Sequence, residues 1–283
     1  MMEEPMAVLA LFGNPVGHSL SPQIHNAAFA AGHMRAIYLA RRVEAPRLGA
    51  AVEAAKILGF LGLNLTVPHK EAVLAHLDDV DGQARRIGAV NTVVFRDGRS
   101  AGYNTDGEGF LWSLRDLAGF DSTGCRTVVL GAGGGARAVA VALAEAGAER
   151  VDVLNRTRER AEAMLADLGL TGEALAPDRA AAVLRQADLV VNCTPQGMWP
   201  QVDELPPADP HLFKPTALVA DTVYNPRPTR WLQLARQRGC RTLDGLGMLA
   251  GQAALAWEVW FGSPGPARQM LATAARALED EGT

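Results

Sequence analysis

Short apolar runs alternate with longer segments of mixed character from one end of the chain to the other. The runs occupy residues 7–12, 36–43, 61–67, 127–130, 151–154, 189–191 and 218–220, many of them next to a glycine. Apolar runs of this length bounded by turn residues predict buried strands. The stretches between them at 22–31, 136–146, 158–168 and 228–238 have the length and composition of helices. Strand and helix alternating in this way predict βαβ units, hence an α/β fold with mostly parallel sheet. Segments 171–178 and 200–215, rich in Pro, Gly and Asp, are expected as surface loops. The chain closes on two helical segments, 245–261 and 266–279, with no strand after them.

Length turns this pattern into two domains, because 283 residues exceed one core of ordinary size. Two domains leave a cleft between them. With 48% hydrophobic and 20% charged residues and no biased tract, both should bury real cores. A net charge of -4 and only short, interrupted arginine clusters argue against a nucleic-acid partner. Cys125, Cys193 and Cys240 lie too far apart for a zinc motif and leave no even disulfide set, which fits a reducing cytoplasm. The start, with Glu3 and Glu4 before the run 6–12, lacks the basic opening of a secretory signal. No apolar stretch approaches the roughly 20 residues of a membrane helix, so a soluble protein is expected.

The most informative local feature is Gly131-Ala132-Gly133-Gly134-Gly135-Ala136, set between a strand and a helix. This G-x-G-x-x-A pattern lets the main chain turn tightly and approach a pyrophosphate at the positive helix N-terminus. The next strand ends in Asn155, Arg156 and Thr157, with Arg160 one turn on. An acidic residue at that strand end would hold the ribose hydroxyls of NAD, whereas a guanidinium pairs with the 2′-phosphate of NADP. NADP is therefore the expected cofactor, although such arginines could merely decorate a solvated helix start. The polar turn at 119–124 marks the sharpest boundary, and a nucleotide-binding domain begins there or one helix earlier. The expected division is a discontinuous substrate-binding and catalytic domain, 1–106 with 247–283, and a Rossmann-like NADP-binding domain, 107–246.

Chemistry is expected at two polar turns. The strand 61–67 ends at Pro68 and delivers Lys70 to the start of a helix, where a lysine can point into a cleft and transfer a proton. Asp106 lies in a second polar loop, 102–107, and could equally serve as an ordinary helix cap. Ser19 and Ser21 could simply cap the helix that follows Pro22. Thr66 and Asn91 could satisfy local backbone groups. His18, His25 and His69 lack the further ligand a metal set needs, and His25 reads as a helix-face residue. Trp257 and Trp260, spaced i, i+3, read as core packing.

Eight ordered blocks give these residues a context. They are 13–22 (GNPVGHSLSP), 64–70 (NLTVPHK), 88–92 (GAVNT), 104–107 (NTDG), the glycine loop, 155–157 (NRT), 192–198 (NCTPQGM) and 244–252. In this order, over nearly the whole chain, the sequence resembles the shikimate dehydrogenases. The resemblance implies an NADP-dependent enzyme that reduces 3-dehydroshikimate to shikimate, with Lys70 and Asp106 as the catalytic pair. It implies that Ser19 and Ser21 hold the substrate carboxylate with Tyr224 nearby, and that Thr66, Asn91 and Gln252 meet the ring hydroxyls. Thr194, Met198, Thr222, Gly245 and Met248 would line the nicotinamide side, with the protein a monomer or homodimer. Two departures stand out: the run of three glycines before Ala136 and Arg137, where many relatives place a further alanine or serine, and the bulky Trp199. A quinate/shikimate paralogue using NAD(P) shares the fold, but Arg156 favours NADP and Ser21 stands where a threonine would accompany quinate. A dinucleotide-binding protein without turnover is the other alternative.

Overall fold

The structure, a computed structural model, describes residues 6–281. The acidic start at Glu3 and Glu4 lies outside the described residues. The chain divides into two compact units, Met1–Gly109 with Leu249–Thr283, and Phe110–Met248. Each carries a six-stranded sheet with helices.

The first unit runs β1 (Ala7–Gly13), α1 (Ser21–Ala31), β2 (Ala36–Arg42), α2 (Leu48–Ile57), β3 (Gly62–Leu65), α3 (His69–Ala72), β4 (Asp79–Val80), α4 (Gly82–Ile87), β5 (Thr92–Arg96), β6 (Arg99–Tyr103) and the start of α5 (Asp106–Asp116). Its strand order is β2-β1-β3-β5-β6-β4. The apolar strands β1, β2 and β3 pair in parallel, as their runs predict, and β3-β5 and β5-β6 are antiparallel. Buried Phe12, Val52, Leu63, Val93 and Phe95 belong to one core cluster. The β5-β6 hairpin was not among the predicted strands. Asp97 and Gly98 join its arms with φ of 51° and 71°, the left-handed pair that a two-residue hairpin turn demands.

In the second unit come β7 (Arg126–Leu130), α6 (Gly134–Glu145), β8 (Arg150–Leu154), α7 (Arg158–Leu168), β9 (Ala174–Leu175), α8 (Ala181–Leu184), β10 (Leu189–Asn192), β11 (Leu218–Asp221), α9 (Arg230–Gln237) and β12 (Arg241–Leu243). All its pairings are parallel, in the order β12-β11-β10-β7-β8-β9. Counted from β7, this is the doubly wound dinucleotide-binding order, whose winding reverses between β7 and β10. The segment 171–178 is not wholly loop: β9 extends the sheet from within it. The stretch 200–215 is irregular as expected, apart from a 3-10 turn at Pro210–Leu212.

The helices α10 (Leu246–Phe261) and α11 (Ala267–Glu281) come last, with no further strand among the described residues. The helix α11 packs on α1 at the other end of the sequence, within the first unit. Trp257 and Trp260 are buried, and Trp260 Nε1 donates to the Val93 carbonyl at 2.9 Å, so this pair is core. His25 is completely buried, stacked on Tyr38 with ring centroids 4.4 Å apart. The capping position of α1 is taken by Leu20, which offers no side-chain bond, while Ser19 Oγ accepts from the Ser21 main-chain N–H at 3.2 Å where the helix begins.

Candidate active site

Sheet topology brings the chemistry of the first unit together. Because β5 is antiparallel to both β3 and β6, the ends of β3 and β6 and the start of β5 share one edge, aligned at Asn64, Thr92 and Tyr103. Lys70 follows the end of β3, Asn91 precedes β5 and Asp106 follows β6. Main-chain bonds fix the three segments: Leu65 N donates to Asn91 O at 2.8 Å, Asn91 N to Tyr103 O at 3.0 Å, and Val90 N to Lys70 O at 2.8 Å.

Lys70 Nζ lies 2.6 Å from Asp106 Oδ2, with the lysine side chain 20% exposed and the carboxylate 5% exposed. Asp106 opens α5, yet it does not read as a simple cap: its other oxygen, Oδ1, accepts from Asn91 Nδ2 at 3.0 Å. Asn91 is held in that orientation because its Oδ1 accepts from Thr105 N and Thr92 Oγ1, each at 2.9 Å. Gln252 Oε1 sits 3.4 Å from Asn91 Nδ2, and Thr105 Oγ1 donates to the Gln252 carbonyl at 3.0 Å. A charged amine thus rests against a buried, doubly anchored carboxylate while keeping a face to solvent, an arrangement able to deliver a proton where negative charge develops.

Ser19 and Ser21 stand together, Ser19 Oγ donating to Ser21 Oγ at 3.1 Å. Thr66 is half-buried beyond β3, its methyl against Gly13. Tyr224 belongs to the second unit, half-buried after β11. Of the histidines, His69 Nε2 contacts the Val43 carbonyl at 2.8 Å in the core. Burial without a hydrogen-bond partner holds His25 neutral, its pKa pushed down to about 3.

In the second unit the glycine loop leaves β7 and opens α6. Gly131 has φ 104°, a conformation L side chains rarely adopt, and faces Thr194 and the Cys193 carbonyl at the end of β10. The loop therefore lies at the reversal point between β7 and β10. A methyl on Gly133 or Gly135 would meet nothing within 4 Å, and no side chain caps the first turn of α6. Open space over uncapped amide donors fits a pyrophosphate. Beyond β8, Asn155 Nδ2 donates to the Thr157 carbonyl at 2.7 Å, and Arg156, Thr157 and Arg160 are exposed. Neither arginine side chain is in an ion pair among the described residues. Thr194 is fixed by Asn192, whose Oδ1 accepts from Thr194 N at 3.0 Å and Oγ1 at 2.6 Å. Gly245 packs against the Thr222 carbonyl, while Met198 and Met248 are half-buried.

The supporting groups Tyr38, Asn64, Thr92, Thr105, Asn192 and Asp221 were not expected as functional. Asn64, Thr92, Thr105 and Asn192 lie inside the ordered sequence blocks, which was their only signal. Asp221 accepts from Asn192 Nδ2 and Thr229 Oγ1, both at 2.8 Å, and from Val223 N at 3.0 Å. Burial nonetheless dominates and pushes its pKa up to about 6.

An ammonium-carboxylate pair in one unit and a doubly wound sheet with a glycine loop in the other are the parts of a dinucleotide-dependent oxidoreductase. The sequence matches the family descriptions "Shikimate dehydrogenase substrate binding domain" over 11–93, "Shikimate / quinate 5-dehydrogenase" over 115–198 and "Shikimate 5'-dehydrogenase C-terminal domain" over 245–275. Shikimate dehydrogenase (NADP(+)) of Symbiobacterium thermophilum is 50% identical, covering 98% of this chain and 96% of that protein. The Thermus thermophilus shikimate 5-dehydrogenase, solved with NADP(H) and shikimate, is 41% identical with a TM-score of 0.88, covering 96% of this chain and 100% of that one. Quinate dehydrogenase of Corynebacterium glutamicum, solved with NAD, is 33% identical with a TM-score of 0.86, covering 95% and 99%. The chain belongs to the shikimate dehydrogenase family.

Proposed function

We propose that the chain catalyses the reversible NADPH-dependent reduction of 3-dehydroshikimate to shikimate, a step toward chorismate and the aromatic amino acids. The observation that carries this reading is the 2.6 Å contact between Lys70 and Asp106. Bound NADPH supplies the hydride to the ketone carbon. Lys70 donates the proton to the oxygen as charge builds there, and Asp106, braced by Asn91, keeps the ammonium aimed. In the reverse direction Lys70 receives the proton.

The remaining assignments follow the same reading. Ser19 and Ser21 offer two hydroxyl donors to the substrate carboxylate, and Thr66, Asn91, Gln252 and Tyr224 supply polar contacts. A substrate lacking a matching hydroxyl leaves such groups unpaired, which gives discrimination. Gly131, Ala132, Gly133, Gly134, Gly135 and Ala136 cradle the pyrophosphate. Asn155, Arg156, Thr157 and Arg160 take the adenosine end with its 2′-phosphate. Thr194, Met198, Thr222, Gly245 and Met248 line the nicotinamide side. The division of labour is substrate and catalysis in the unit containing Lys70, cofactor in the unit containing the glycine loop. The enzyme works in the cytoplasm, as a monomer or homodimer, with its three free cysteines reduced.

The test is a four-way assay of NADP or NAD reduction with shikimate or quinate. Fastest turnover with NADP and shikimate supports the proposal. Preference for quinate or NAD supports the paralogous activity in its place, and no turnover in any combination leaves a dinucleotide-binding protein.

A further inference from the structure

Asp221 ends β11, buried to 2% exposure, and its carboxylate ties three segments of the second unit together. Its Oδ1 accepts from Asn192 Nδ2 at 2.8 Å, at the end of β10, and from Val223 N at 3.0 Å, in the loop after β11. Its Oδ2 accepts at 2.8 Å from Thr229 Oγ1, the hydroxyl that caps α9. Asn192 has one orientation only. Its Oδ1 takes the Thr194 main-chain N–H at 3.0 Å, and an N–H can only donate, so Nδ2 is the end that faces Asp221. The other proton of Nδ2 is left for the carbonyls of Thr194 and Gln196, at 3.4 and 3.5 Å. One side-chain amide therefore braces the whole turn 194–196. Thr194 Oγ1 donates to the same Asn192 Oδ1 at 2.6 Å, so its single proton is spent and it offers a ligand only lone pairs. The glycine loop lies against this turn: a Cβ on Gly131 would come within 3.2 Å of the Thr194 methyl and 3.4 Å of the Cys193 carbonyl oxygen.

We propose that Asp221 is a positioning residue for the cofactor: its carboxylate holds Asn192, and Asn192 holds the turn 194–196 against the glycine loop in the shape that receives the nicotinamide half of NADP. The inference rests on the reading that Thr194 and Thr222 line the nicotinamide side. The same carboxylate steadies the second of these, since Val223 N is bonded to it and Thr222 N donates to the Asn192 carbonyl at 2.9 Å. A turn built beforehand spares the ligand the cost of ordering it. Loosened, it weakens binding in proportion to the fraction of molecules that still hold the shape.

Asp221→Leu keeps the bulk and removes every acceptor. The expected result is a Kd for NADP raised about tenfold, as when the turn keeps its shape in roughly one molecule in ten. Adenosine 2′,5′-bisphosphate lacks the nicotinamide half and should bind within about twofold of its affinity for the unaltered protein, because its place is the end of β8. Asp221→Asn can remake the bonds: its Oδ1 accepts from Asn192 and Val223, and its amide donates to Thr229 Oγ1. That variant should stay within about threefold of the unaltered protein for NADP. A merely structural role predicts equal weakening of both ligands in Asp221→Leu, and that result overturns the proposal. So does a loss in Asp221→Asn as large as in Asp221→Leu. The unaltered protein is titrated first. Failure to bind NADP there overturns the functional reading and this inference with it, whereas binding that Asp221→Leu leaves unchanged overturns the inference alone. Should Asp221→Leu fail to fold, a structure of the unaltered protein with NADP decides. Thr194 within about 4.5 Å of the nicotinamide half supports the role, and any greater separation overturns it.

Discussion

Asp106 spends each of its oxygens on a different donor, one on Lys70 and one on Asn91, so the lysine cannot swing away without leaving a buried carboxylate underpaired. Lys70→Ala should therefore cost kcat about a thousandfold, within the range for a positioned proton donor, while the KM for shikimate moves far less. Steady-state kinetics against a variant of Lys214, in the second unit, gives the comparison, and equal loss in both contradicts the assignment. Arg156 is exposed and outside any ion pair among the described residues, free to meet a phosphate. Arg156→Ala should weaken NADP about tenfold or more, the worth of a charge-assisted hydrogen bond, and leave NAD nearly unchanged in a binding titration. Lys70, Asp106 and Arg156 could be singled out as candidates because each sits in a short motif next to a strand end. Tyr38 was not, because its hydroxyl partner Asn64 is 26 positions away and nothing local announces the pairing.

Among the elements, long apolar strands could be read and short polar ones could not. The runs behind β1, β7, β10 and β11 are nearly continuous hydrophobic stretches, as strands buried on both faces require. The two-residue strands β4 and β9 are too brief for any periodicity. The hairpin β5-β6 is a different omission, since Asp97-Gly98 is a strong local turn signal and only the mixed polarity of Arg99–Tyr103 masked it. Gly62 shows what pattern alone misses. A Cβ there would lie 2.3 Å from Trp260 Nε1 and 2.4 Å from the Val93 carbonyl, the two groups that bond to each other. Gly62→Ala should destabilise the protein by about 2–3 kcal/mol through overpacking and the lost bond. Chemical denaturation measures this, and a change under about 0.5 kcal/mol, ordinary for surface sites, rejects the argument.

For the molecule as a whole, acid sensitivity follows from His25. Its folded pKa of about 3 lies below the ordinary 6.5, so the unfolded chain binds the extra proton between those values. Stability from this group is complete above pH 6.5 and is lost as pH falls toward 3. Asp221 works the other way, its raised pKa favouring the fold below the ordinary carboxylate value and losing that contribution as pH climbs through about 6. Between pH 7 and 4.5 the histidine alone should cost about 2–3 kcal/mol. His25→Phe, which keeps an aromatic ring against Tyr38, should flatten that decline in denaturation curves taken at both pH values; an unaltered slope shows that His25 is not its source. The architecture at this scale was legible because strand-helix alternation and a glycine loop are long-range regularities. The buried polar lattice behind Asp106 was not, since it depends on register between strands.

The first unit takes its helices α10 and α11 from the far end of the sequence. On the ribosome, residues 110–248 therefore emerge in full while their neighbour still waits for its last two helices. The later-numbered half is the first able to finish, and Trp260, which covers Val93 and Gly62, arrives only after it. A nascent chain stalled before that point holds a completed nucleotide fold next to an open, unsealed partner, a stage at which a chaperone has something to shelter.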